Sequence, residues 1–117
     1  MRLLALLIAA PLLGQAPAQA PAAPAFDSHA FFLQSCAGCH GQDGSATRPD
    51  GSKGRAADLT NAAWQKANSD AAIAHAILEG KGHMPAFKGR LSEADALKLV
   101  SEVVRNLHKG TPVKAGN

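Results

Sequence analysis

The segment Cys36-Ala37-Gly38-Cys39-His40 holds the only two cysteines of the chain, three positions apart, with a histidine directly after the second. Two thiols at this spacing lie on one side of a turn. There they can add to the two vinyl groups of a haem, and the next residue presents an imidazole to the iron. One short segment would supply both covalent anchors, Cys36 and Cys39, and a proximal iron ligand, His40. Other chemistries use the same residues. A thioredoxin-like thiol pair normally follows a strand in a βαβ pattern, which is not readable here. A structural disulfide suits an exported chain. A zinc site needs four ligands, and two Cys plus His40 leave a gap. The pentad favours attachment of one haem c.

A distal ligand is the next requirement. Apart from Met1, the one methionine is Met84, in Gly82-His83-Met84-Pro85-Ala86-Phe87. A thioether on a glycine-flanked loop, stiffened by the fixed φ of Pro85, suits a sixth iron ligand. Its ordinary use would be core filler. His83 is the rival ligand. His29, His75 and His108 fall on helices, where solvated or satisfied positions are expected. Methionine rather than histidine at the iron would raise the reduction potential.

The elements that must position these residues read as helices and loops. Asp27 or Ser28 can cap a helix carrying Phe31, Phe32 and Leu33 toward Cys36. Residues 41–57 are glycine-rich loop, and 58–61 can form a turn before Trp64. Ser69 caps a helix bearing Ile73, Ile77 and Leu78, which Gly80 and Gly82 end. After a second loop, Ser92-Glu93-Ala94-Asp95 resembles a capping box. The last helix places Leu97, Val100, Val104 and Leu107 on one stripe, and Gly110 and Pro112 stop it. No alternating strand pattern of useful length is present. The predicted fold is all-α, with about three to five helices and long loops around one covalent haem.

The length of 117 residues allows one domain. Met1-Arg2, an apolar run at 3–13 and Ala16-Pro17-Ala18 lay out a secretory signal at 1–18. That run is far shorter than the ~20 residues of a membrane-spanning helix. Export to an oxidising periplasm is therefore expected. Residues 19–26 read as a Pro/Ala-rich linker, 27–110 as the domain and 111–117 as a tail. Hydrophobic residues make up 46% of the chain, but 25 of its residues are Ala. The 99 residues after the signal hold only 17 Leu, Ile, Val and Phe, below the ~20% at which disorder becomes a serious prior. A haem would add the missing apolar surface. The net charge of +3 is too weak for a dedicated nucleic-acid binder.

On the attachment pentad, Met84-Pro85-Ala86-Phe87 and the terminal Val103-Val104-Arg105-Asn106-Leu107, the chain resembles a class I c-type cytochrome of the short, single-haem, bacterial periplasmic kind. The likeness covers roughly 27–107. It implies that the N- and C-terminal helices cross beside the haem, with Phe32 near Val103. It implies a haem crevice between His40 and Met84 with one edge exposed. It further suggests propionate contacts from Trp64 and Arg55, and a Pro49 carbonyl holding the second nitrogen of His40. Two features depart from the family. Many relatives carry an aromatic residue where Val103 stands, and this chain has no Tyr. Relatives often have a glycine at the crossing, where this chain reads Ser28-His29-Ala30.

With His40 and Met84 on the iron, the expected function is outer-sphere transfer of single electrons, as a carrier rather than an enzyme. The partners would be a protein donor and a protein acceptor, met by a monomer with no membrane span in its mature form. Lys81, Lys88 and Arg90 flank Met84, opposed by Glu79, and Lys53 and Arg55 add charge from another loop. Such a collar would steer an acidic docking surface. Two other classes are an electron-entry subunit of an exported dehydrogenase or terminal oxidase, and a haem sensor or weak peroxidase with Met84 off the iron.

Overall fold

The structure, a computed structural model, describes residues 10, 11, 13, 14 and 25–116. The expected signal, apart from four of its residues, and the linker up to Pro24 lie outside the described residues. The described chain is helical, with three isolated bridging pairs and no extended strand. None of its helices is long and apolar enough to cross a membrane.

The first helical stretch has three parts. α1 (Ser28–Phe31) runs into a π-helical turn (Phe32–Cys36) and then α2 (Ala37–His40). Asp27 is the cap: its Oδ1 accepts from the Ala30 N–H at 3.0 Å, satisfying a donor that the helix cannot. The wider turn closes where the Ala37 N–H donates to the Phe32 carbonyl. π-Turns inside helices often mark functional sites, and this one ends on Cys36.

α3 (Ala62–Ala67) starts on Asn61, whose side chain accepts from the Trp64 N–H at 3.0 Å. α4 (Asp70–Glu79) starts on Ser69 and ends at Gly80, as predicted. α5 (Glu93–Glu102) starts on Ser92, which accepts from the Asp95 N–H. The expected stripe on this last helix needs correction. Leu97 is 40% exposed, and the buried face is Ala96, Leu99, Val100 and Val103. The α-helix stops at Glu102, and a 3₁₀ turn (Val104–Asn106) then brings Val104 and Leu107 back to the core. The buried positions keep spacings of 3 and 4 from Ala96 to Leu107, so Ala96 takes the place expected for Leu97.

Phe32 and Val103 share one core with Leu99, Val100, Ile73, Ile77 and Phe87. Truncating Phe32, which is 1% exposed, to alanine should cost about 3–5 kcal/mol. α1 packs on α5. At this crossing Ser28 is buried, and its Oγ donates to a Glu102 carboxylate oxygen. A small residue still permits the close approach, and the hydroxyl is satisfied by a partner on the other helix. Just past the same C-terminal end of α5, the Arg105 guanidinium donates to Asp70 Oδ1 at 2.7 Å, to Gln65 O and Oε1 at 2.7 Å each, and to Asn68 O at 2.6 Å. This fork ties the corner between α3 and α4 to the end of the terminal helix.

Candidate functional site

Cys36, Cys39 and His40 lie on the last turns of the first helical stretch, which ends at Gly41 with φ +82°. The positive φ explains glycine there. Both thiols are free; Cys36 is half-buried and Cys39 exposed. Burial pushes the Cys36 thiol up to about 11, against the opposing charge of Arg90. An attacking redox thiol needs a lowered value. Among the described residues, no group of three His, Cys, Asp or Glu side chains is placed to hold a metal ion.

The His40 ring has a fixed orientation. Its Nδ1 donates to the Ala57 carbonyl at 3.0 Å. A carbonyl only accepts, so Nδ1 carries a proton and, in the neutral ring, the lone pair is on Nε2. This partner corrects the expected Pro49 carbonyl. The 41–61 loop folds back on itself: the Ala46 N–H donates to His40 O, and the Gly54 N–H to Ala46 O, each at 2.6 Å. Bonds between Arg48 and Ser52 and between Gly51 and Arg48 pinch off the exposed tip that carries Pro49. The returning limb, not the tip, reaches His40. A Cβ on Gly54 would lie 3.1 Å from the Ala46 carbonyl oxygen, so the close approach depends on its absence.

Asp43 ties the same loop to Gly110, just before the tail. Burial tends to raise its carboxyl, but bonds from the Gly110 N–H, the Ser45 N–H and the Ser45 hydroxyl outweigh this and hold it below the usual range. The Gly110 N–H lies 2.8 Å from Asp43 Oδ2, and the Val113 N–H 2.7 Å from the Gln42 carbonyl. Residues assigned to a tail thus pack on the domain, with Val113 against the core.

Met84 closes a tight turn with Lys81. The Lys81 N–H donates to Met84 O at 3.1 Å and the Met84 N–H to Lys81 O at 2.9 Å. The Phe87 and Lys88 N–H groups then donate to Ile77 O and Leu78 O, strapping the loop to the end of α4. Met84 is half-buried and packs on the core cluster, as do Cys36, Ala37 and Trp64. His83 is exposed, which favours Met84 as the inward-facing donor of the two.

The remaining candidates separate. Trp64 is half-buried against the core. Arg55 is exposed and enters none of the ion pairs among the described residues. Most of the expected basic collar is engaged. Lys88 faces Glu79 at 3.4 Å, and Lys53 faces Asp58 at 3.3 Å. Arg90 lies over the rings of Phe31 and Phe87, 5.3 and 5.6 Å from their centroids. In the sequence Arg90 is one charge of the expected docking collar and Arg105 part of the terminal motif; the ring contacts of the first, the fork of the second and the contacts of Ala57 and Asp43 are not readable there. Their partners Ser35, His40, Gly110 and Gln65 lie 17 or more positions away, and no local pattern marks them.

The donor set fits a covalent haem. Two unbonded thiols stand on one helical edge, an adjacent imidazole has Nε2 free, and a thioether packs on the same core. The family described as cytochrome C oxidase, cbb3-type, subunit III matches residues 23–101. The cbb3-type cytochrome c oxidase subunit CcoP of Cereibacter sphaeroides is 35% identical over 68% of this chain and 26% of its own length. Cytochrome c6 of Synechocystis is 36% identical over 69% of this chain and 64% of its own length. The chain therefore spans about a quarter of the first relative and under two thirds of the second. Among solved structures, the KustC0563 c-type cytochrome superposes with a TM-score of 0.56 at 29% identity, covering 71% of this chain and all of that one.

Proposed function

From the premise that this chain belongs to the class I c-type cytochromes, we propose that it is an exported, single-haem electron carrier with iron held by His40 and Met84. The observation that carries this reading is the bond from His40 Nδ1 to the Ala57 carbonyl, 3.0 Å, which leaves Nε2 as the ligating nitrogen. When bound, haem supplies a one-electron ferrous/ferric couple. Cys36 and Cys39 anchor it as thioethers. The Ala57 carbonyl orients His40 and strengthens it as a donor. The turn of Lys81 and Met84 offers the thioether from the opposite loop. Trp64 and Arg55 serve the propionates by an indole N–H and a guanidinium. The apolar cluster on which Cys36, Trp64 and Met84 pack keeps water away.

With His40 and Met84 both given to the iron, haem would offer no open site for a substrate, and its one-electron couple would serve a brief encounter with a protein donor and acceptor. A carrier of this kind works in the periplasm as a monomer. The test is the reduced protein mixed with carbon monoxide. Slow or negligible binding supports the carrier. Rapid binding would move the assignment to a sensor or peroxidase.

A second reading has a specific basis in the match to oxidase subunits: an electron-entry module of a terminal oxidase. Co-purification with a haem–copper oxidase would favour it, and recovery as a free monomer would not.

A further inference from the structure

Arg90 stands apart from the other cations near Met84. Its guanidinium lies 5.3 Å from the Phe31 ring centroid and 5.6 Å from that of Phe87. These two rings meet edge to face, with centroids 5.5 Å apart. Its Nη2 also donates to Ser35 Oγ at 3.3 Å. Phe31 and Ser35 belong to the segment that leads into Cys36. Phe87 belongs to the loop that follows Met84. One side chain thus bridges the segment bearing the attachment cysteines and the segment bearing the distal thioether. Arg90 enters none of the carboxylate pairs among the described residues, so its charge is not cancelled by a close counter-ion. A guanidinium suits this position, because it stacks on aromatic faces, forks to a hydroxyl and never loses its proton.

We propose that Arg90 is a positioning residue whose pinned positive charge raises the reduction potential of the site anchored by Cys36 and Cys39. This rests on the electron-carrier reading above. Oxidation leaves the site one unit more positive, so a fixed cation beside it opposes the ferric state and favours the ferrous one. The charge already reaches this region, since Arg90 is the influence that lowers the Cys36 thiol against burial. Lys81 differs. Both cations are exposed and outside the ion pairs, but Arg90 is held by two rings and a hydroxyl, and salt screens a mobile charge more freely.

The test is potentiometry of haem-loaded protein, wild type against Arg90→Gln, Arg90→Lys and Ser35→Ala, at low and high salt. Arg90→Gln should lower the potential, with the ferrous-to-ferric ratio at fixed poise falling on the order of threefold, as for one partly screened charge. Arg90→Lys should retain most of the wild-type value. Ser35→Ala leaves the charge but frees one end of it, so a smaller fall in the same direction is expected, and this variant carries the test if Arg90→Gln does not fold. Lys81→Gln is the control, with a smaller shift that salt abolishes. Equal potentials in wild type and Arg90→Gln, or equal falls in Arg90→Gln and Arg90→Lys, would overturn the proposal. Wild-type protein without covalent haem would instead refute the carrier reading itself.

Discussion

His40 Nδ1 and the Ala57 carbonyl oxygen stand 3.0 Å apart, and this bond joins the attachment helix to the returning limb of the 41–61 loop. It fixes both the tautomer and the rotation of the imidazole. The limb reaches His40 only because Gly54 passes close over Ala46. In Gly54→Val the added carbons would push residues 54–57 outward. The expected result is a loss of about 1–3 kcal/mol in unfolding free energy. The potential should rise, because an imidazole without its carbonyl partner is a weaker donor to ferric iron. Denaturant unfolding and potentiometry check the two parts separately.

Gly80 governs the opposite side of the site. Its φ is +78°, and a Cβ there would lie 2.8 Å from the Met84 carbonyl oxygen and 3.0 Å from the Ala86 nitrogen. Both obstacles are backbone, so no side chain can move aside. Gly80→Ala should cost about 2 kcal/mol or more and displace the turn of Lys81 and Met84. Thermal unfolding would report the loss, and carbon monoxide binding to the reduced variant should become faster than in wild type.

Asp43 makes the fold sensitive to acid. Its carboxyl is held below the usual range, so its folded value lies below its unfolded one of about 3.9. The stabilisation is fully present above the unfolded value. It is lost as pH falls through the folded one. Asp43→Asn loses the acceptor for the Gly110 N–H and should cost about 1 kcal/mol at pH 7. Below both values wild type and variant should converge. Urea unfolding at neutral and strongly acid pH measures both.

Much of the site was legible because its signals are local. The pentad at Cys36 is five consecutive residues. Met84 stands beside Gly and Pro, and the caps Asp27, Ser69 and Ser92 each act within three residues. What failed depended on chain reversal. Pro49 and Ala57 sit in the same loop, and only its folded path decides which carbonyl meets His40. Leu97 falls outside the core face because that face is built on Ala96, Leu99, Val100 and Val103, and a small alanine does not announce a core position in a pattern of large apolar residues. Ser28 at the helix crossing shows the same limit. Its partner Glu102 is 74 residues away, so its role as a satisfied small residue emerges only from packing.

The central claim is that His40 and Met84 together close the iron site. The most direct test is the near-infrared spectrum of the ferric protein, made with covalent haem, beside Met84→Ala and His83→Ala. A weak band from a sulfur–iron bond is expected in wild type and His83→Ala, and its disappearance in Met84→Ala with the haem still attached. A wild-type spectrum without that band, or a band that survives in Met84→Ala, would contradict it.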